Sequence, residues 1–298
     1  MTSPQESSIS AFMTSQSLTL ALAQCNMTVG DIAGNSARIA QLYAQAVEQG
    51  ADLVVFPELA ITGYPPEDLV LRRSFQDAAM DAMEQLAEAT RDTKTAMLVG
   101  GVWREGEALH NSVFLLEGGK RVQTIHKRAL PNYSVFDEKR VFVAGERPGV
   151  FEWRGIKLGV FVCEDMWDEA VRQEVLDAQP ELILSSNASP YEMGKARRRR
   201  KLVHAVVQQS GAPLAYLNLV GGQDELVFDG HSFVMNMDGS RPAILEPFGE
   251  QLAVVELQKN PWHCLPGDKA ERQGDAETVY RAMMLGLKDY VEKSGFPG

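Results

Sequence analysis

Three stretches of this sequence set a reactive side chain at the end of an apolar run, next to a turn. Glu58 follows the apolar residues 53–56 and Pro57, and precedes Thr62-Gly63-Tyr64-Pro65-Pro66. Burying a carboxylate costs several kcal/mol unless it is paired, so Glu58 is either a capped or salt-bridged structural acid or an acid–base group. Lys127 lies in His126-Lys127-Arg128-Ala129-Leu130-Pro131-Asn132-Tyr133, after a strand-like run and before a Pro-Asn turn. That position can fix its ammonium, although the stretch taken alone also reads as a solvated charge cluster. Cys163 closes the run 159–162 and opens Glu164-Asp165-Met166-Trp167, where an exposed nucleophile would sit; a free cysteine is also commonly a small core residue. Cys25 and Cys264 have no acid, base and turn around them and read as core. The histidines 110, 126, 204, 231 and 263 lack HExxH spacing and the cysteines lack CxxC, so the spacing gives no metal site.

The elements that must position these residues alternate in type. Short apolar runs at 18–23, 53–56, 96–99, 158–162, 182–184, 214–217, 232–235 and 252–255 read as strands. Between them, Ile39, Leu42, Tyr43, Ala46 and Val47 share a helical face behind Asn35, a candidate N-cap, and Gly50 is a stop. Phe75, Ala78, Ala79, Ala82 and Leu86 mark a second helix, and 169–178 and 195–209 two more. Hairpins turn at Gly118-Gly119 and Arg154-Gly155. The pattern predicts a sheet-rich α/β core with helices outside, in one domain over 17–258. Residues 1–16 are polar and Ser/Thr-rich, with no basic start, and read as a loose tail. The polar stretch 259–275 reads as a boundary, and Val279, Met283, Leu287 and Tyr290 define an amphipathic helix, the whole of 259–298 forming a linker and helix.

Composition narrows the function. At 298 residues and 45% hydrophobic, the chain can bury a large core. Its 29 basic against 40 acidic residues give a net charge of −11, which argues against nucleic acid or anionic lipid as a partner. No run reaches the roughly 18 apolar residues of a membrane span. Three cysteines exclude a disulfide framework and fit a reducing, cytoplasmic setting. The run 195–201, six basic residues in seven, reads as a mostly solvated helix face.

Glu58, Lys127 and Cys163, in that order and each at a strand end, resemble the nitrilase (carbon–nitrogen hydrolase) superfamily. Within it the sequence is most similar to the N-terminal glutaminase domains of glutamine-dependent NAD+ synthetases. The matching residues are Ala23-Gln24, Val29-Gly30-Asp31, Asn35, Phe56-Pro57-Glu58-Leu59, Gly63-Tyr64-Pro65, 127–136, Cys163-Glu164-Asp165-Met166-Trp167, Asn187-Ala188-Ser189-Pro190-Tyr191 and 218–233, over essentially 18–298. Ser134 departs from the pattern, standing where a glycine is expected. The resemblance implies a four-layer α-β-β-α sandwich and a cysteine amidohydrolase. It assigns Glu58 as acid–base, Cys163 as nucleophile, Lys127 and the backbone N–H of Glu164 as oxyanion stabilisers, and Glu138 as an accessory acid that positions Lys127. It also implies that Tyr64, Tyr133, Trp167, Ser189 and Lys195 line a pocket for L-glutamine, with Lys195 near the α-carboxylate.

The family's ATP-binding part opens with a Ser-Gly-Gly-x-Asp-Ser loop soon after a Gly-Phe-Pro-Gly. Gly295-Phe296-Pro297-Gly298 are the last residues here, and neither that loop nor GxxxxGK[ST] occurs. The resemblance therefore implies an amidase half that works with a synthetase domain or subunit. ATP and Mg²⁺ would belong to that partner, no cofactor to this chain, and a homo-oligomer is expected. Two alternatives stand beside it: a non-catalytic docking module, and a hydrolase of another small amide or nitrile.

Overall fold

The computed structural model describes residues 17–296. The stretch 1–16, read above as a tail, lies outside the described residues. In chain order the elements are β1 (Ser17–Gln24), α1 (Ile32–Glu48), β2 (Leu53–Val55), α2 (Arg73–Glu88), β3 (Ala96–Glu105), β4 (Ala108–Glu117) and β5 (Lys120–His126). There follow α3 (Glu138–Val141), β6 (Val150–Trp153), β7 (Ile156–Val162), α4 (Glu169–Asp177), β8 (Leu182–Asn187), α5 (Lys195–Ser210) and β9 (Leu214–Asn218). Last come the hairpin β10 (Val220–Gln223) and β11 (Leu226–Asp229), then β12 (Phe233–Met235), β13 (Ala243–Ile244), β14 (Gln251–Gln258), β15 (His263–Cys264) and α6 (Asp275–Lys293).

The strands form two large sheets, ordered β15-β14-β1-β2-β3-β4-β5 and β13-β12-β9-β8-β7-β6. Each has a parallel centre (β1-β2-β3; β7-β8-β9) and antiparallel flanks. A parallel centre needs a crossover, and α1, α2, α4 and α5 supply it on the outer faces. Because side chains alternate along a strand, neighbouring residues enter different cores. Leu20, Leu22, Leu53, Val55 and Leu98 meet Leu158, Val160, Val162 and Leu184 between the sheets. Ala21, Ala23 and Val54 pack outward with Ile39, Leu42 and Tyr43 of α1 and Met83 and Leu86 of α2. On the other side Phe161, Ile183 and Leu214 pack with Val175, Val203 and Val207 of α4 and α5. The layers are α-β-β-α, as the sequence reading expects.

Two local features differ from that reading. The N-cap of α1 is Asp31, whose carboxylate accepts from Gly34 N at 2.9 Å. Asn35 sits inside the helix, buried, and ties the loops before it and after β2 through Thr28 and Ile61. The stretch read as linker from 259 carries β15, because Trp262 and Cys264 are apolar and enter the inter-sheet core despite their polar neighbours. Helix α6 docks by its small and polar side, not by its apolar face. Gly222 of β10 lies so close that a Cβ there would meet Gly286 Cα at 2.9 Å. Asp289 accepts from Gly222 N (2.6 Å) and Asn26 Nδ2 (2.7 Å), and Lys293 Nζ donates to Asn26 Oδ1, Met27 O and Gly222 O. Met283, Leu287 and Tyr290 are left more than half exposed. Among the described residues no helix is long and apolar enough to cross a membrane.

Candidate active site

Glu58 sits in the turn leaving β2. Phe56 still pairs with Leu98 of β3, and beyond it the chain turns over Gly100. A Cβ at 100 would stand 2.4 Å from Leu59 N and 2.5 Å from Pro57 O, so only glycine lets β3 run beneath this turn. The Glu58 carboxylate is fully buried. Its Oε1 accepts from Asn111 Nδ2 at 2.8 Å and Lys127 Nζ at 2.7 Å, and its Oε2 from Ala188 N at 3.0 Å.

Lys127 extends β5 by one residue, its N–H donating to Asn111 O and its carbonyl accepting from Gly145 N, both at 2.8 Å. Its Nζ reaches Glu138 Oε1 at 2.6 Å as well as Glu58. Tyr64 O–H donates to the same Glu138 oxygen at 2.9 Å. One buried ammonium is thus clamped between two buried carboxylates.

Cys163 directly follows β7, and its φ of +48° lies in the left-handed region a side-chain-bearing residue seldom adopts. The strand breaks sharply there into the helical turn 163–166, whose first N–H groups, Glu164 included, face away from any intrahelical acceptor. Asp165 stitches this turn to the lysine segment: Oδ1 accepts from Arg128 N (2.9 Å) and Ala129 N (2.7 Å), and Oδ2 from Val162 N (3.2 Å).

A cavity of about 460 Å³ opens over Cys163 and is walled by Tyr133, Trp167, Ser189, Lys195 and Glu164 among others. Tyr133 O–H donates to Glu164 Oε1 at 2.8 Å. Ser134 has φ +56°, which accounts for the glycine expected there. Four of the five residues read as pocket lining are in this wall. Tyr64 is not: it is buried behind Glu138 and supports that acid instead.

Several residues that matter here escaped the sequence reading. Asn111 is buried inside β4, where nothing local distinguishes it; cross-strand register brings it to Glu58 and Lys127. Arg199, in the run read as a solvated face, is buried and paired with Asp229 at 2.7 Å. It also donates to Ser189 O (2.8 Å), while Asn218 Oδ1 accepts from Ser189 N (2.8 Å), so the pair and Asn218 fix the Ser189 wall. Arg197 and Arg198 are exposed, as expected of that face.

The electrostatics follow from burial. Burial pushes the Cys163 thiol well above its usual range, the Glu58 charge adds to this, and Lys127 opposes it. The thiol is therefore protonated at rest and must lose its proton during attack. Burial opposes the Lys127 charge too, but Glu138 and Glu58 outweigh it and hold the ammonium well above the usual range. Glu138 is pushed up to about 7 by burial, against Lys127 and with help from Glu58. Such a set can take a proton from a thiol, hold a cation beside a tetrahedral oxyanion and protonate a leaving amine.

The carbon-nitrogen hydrolase family profile matches residues 19–263. The glutamine-dependent NAD(+) synthetase of Rhodobacter capsulatus is 40% identical over 279 residues, covering 93% of this chain and 50% of that protein. That of Acinetobacter baylyi is 38% identical over 285 residues, covering 95% and 52%. The chain thus spans about half the length of these curated relatives. Among solved structures, the glutamine-dependent NAD+ synthetase of Acinetobacter baumannii superposes with a TM-score of 0.90 at 35% identity, covering 95% of this chain and 53% of that one. A nitrilase-superfamily amidase from Nesterenkonia AN1 superposes at 0.74 with 28% identity, covering 81% and 91%. The α-β-β-α sandwich agrees with that match, and the chain belongs to the carbon–nitrogen hydrolase family.

Proposed function

We propose that this chain is a glutaminase that releases ammonia from L-glutamine for a synthetase domain or subunit, which uses it with ATP and Mg²⁺ to amidate deamido-NAD. The observation that carries this reading is the Glu58–Lys127–Glu138 clamp set against Cys163 at the floor of a cavity of amino-acid size. The three relatives named above that are glutamine-dependent NAD+ synthetases support the choice of glutamine.

Glu58 takes the Sγ proton as sulfur attacks the side-chain amide carbon. Lys127 and Glu164 N–H stabilise the oxyanion; one such donor is worth about 3–4 kcal/mol. Glu58 then gives the proton to the departing ammonia, leaving a glutamyl thioester. Water, deprotonated by Glu58, opens the thioester to glutamate and the free thiol. Each turnover consumes one water and needs no cofactor in this chain. Lys195 pairs with the substrate α-carboxylate; Glu192 and Glu225, also on the cavity wall, suit its ammonium. Tyr133, Trp167 and Ser189 shape the wall, and Tyr64 acts through Glu138. The exposed Met283–Leu287–Tyr290 face of α6 supports self-association or a synthetase partner, and the reducing chemistry of a free-thiol nucleophile supports a cytoplasmic setting.

A second reading is an amidase of another small amide, favoured by the likeness covering 91% of the Nesterenkonia amidase. The test assays ammonia from glutamine, asparagine, acetamide and ω-amides, with NAD+ measured beside it when ATP, Mg²⁺ and deamido-NAD are present. Glutamine preferred by at least about tenfold, with no NAD+ formed by this chain alone, supports the first reading. A small aliphatic amide preferred over glutamine moves the assignment to the second.

A further inference from the structure

We propose that Glu105, His110 and His126 form a binding site for one divalent transition-metal ion of the zinc, nickel and copper class. The spacing of the histidines along the chain hides this site, because its three ligands come from three neighbouring strands, β3, β4 and β5. One ligand atom from each lies within 4.8 Å of the other two.

The two imidazoles are already oriented by groups behind them. His110 Nδ1 lies 2.8 Å from Val143 O. A carbonyl only accepts, so the proton is on Nδ1 and Nε2 carries the lone pair. His126 Nδ1 lies 2.7 Å from the buried Ser112 Oγ, and its Nε2 lies 3.4 Å from Glu105 Oε1. An oxygen on Nδ1 is how metal-ligating histidines are held, and an ion would displace the Nε2 proton that His126 shares with Glu105. The rings stack at 4.2 Å with their planes 22° apart, so one must turn inward to share an ion. His126 is the freer, since its long contact to the mostly exposed Glu105 carboxylate holds it weakly. Two imidazoles and one carboxylate suit a borderline ion, and the groove of about 760 Å³ in front of them leaves room for water as further ligands.

The position gives the site a consequence. Ser112 faces His126 across β4 and β5, and the next pair along is Asn111 with Lys127. Each histidine is therefore the backbone neighbour of a residue that holds Glu58, with its side chain on the opposite face of the sheet. Occupancy should stiffen the strands that carry the clamp.

Equilibrium dialysis of the metal-stripped full chain against Zn²⁺, with elemental analysis, tests this. About one equivalent is expected in both the unaltered chain and Cys163→Ala, with binding at least about tenfold weaker in His126→Gln and in Glu105→Gln. Glu105 is exposed, so Glu105→Gln stays folded even if the histidine variant does not. Co²⁺ in the same site should give a visible spectrum without a thiolate charge-transfer band. Amide exchange at 110–112 and 125–127 should slow on Zn²⁺ addition. Unchanged binding in Glu105→Gln and His126→Gln, a thiolate band, or no binding at 100-fold molar excess would each overturn the proposal.

Discussion

Lys127→Met removes the cation between two buried acids while keeping the length of the side chain. Both Glu58 Oε1 and Glu138 Oε1 lie within 2.7 Å of Nζ, so the two oxygens are at most about 5 Å apart. Two like charges at that distance repel by about 3 kcal/mol at an effective dielectric of 20, equivalent to roughly two pKa units. In the unaltered protein Glu138, pushed up to about 7, loses its proton near neutrality with Lys127 beside it. In the variant the proton stays on to higher pH. A carboxyl whose folded pKa is raised binds more protons folded than unfolded, so stability falls as pH rises through that window. The variant should carry a deficit of about 3–5 kcal/mol from the broken pair, and this should widen above pH 7 by about 1.4 kcal/mol per unit, to roughly 3 kcal/mol more. Urea unfolding of both proteins at pH 6, 7, 8 and 9 measures it. A deficit that stays flat from pH 6 to 9 would show that Lys127 does not couple the two acids, and the clamp argument would be wrong.

Glu58→Gln keeps the shape of the site but removes the base, so glutamine turnover should drop by about 10²- to 10⁴-fold, mostly in kcat, when steady-state rates are compared. A change confined to KM would make Glu58 a binding residue only. Gly100→Ala forces the Pro57–Leu59 turn aside and should cost about 1–3 kcal/mol in urea unfolding while lowering kcat more than it raises KM; full activity would contradict the close approach. Because burial and Glu58 hold the Cys163 thiol protonated, its alkylation by iodoacetamide should climb through pH 9 without a plateau, whereas a plateau near pH 7 would mean a preformed thiolate.

The three reactive residues were legible because each interrupts an apolar run at a turn, a boundary that hydrophobic pattern reports well. The α/β core with outer helices was legible for the same reason, Leu53, Val54 and Val55 reading as a strand covered on both faces, whereas the four layers followed from the resemblance. Asn111 was not, since its role depends on which strand lies beside β4, and register is a long-range property. Arg199 looked solvated because its neighbours in the run are; its buried partner Asp229 is 30 residues further on. The amphipathic pattern of α6 was legible, but not what holds it: Gly286 allows close backbone approach to Gly222 of β10, and Asp289 and Lys293 complete the contact through hydrogen bonds, which leaves Met283 and Leu287 outside. Strand β15 was missed because two residues carry no periodicity.

The central claim is that glutamine is hydrolysed through a thioester on Cys163. The direct measurement mixes the chain with glutamine, quenches with acid during turnover and maps adducts by peptide mass. The account predicts one glutamyl group on the peptide bearing Cys163, lost on treatment with hydroxylamine and missing from Cys163→Ala, with ammonia release abolished in that variant. Ammonia release that persists in Cys163→Ala, or a glutamyl adduct on Cys25 or Cys264, would contradict it.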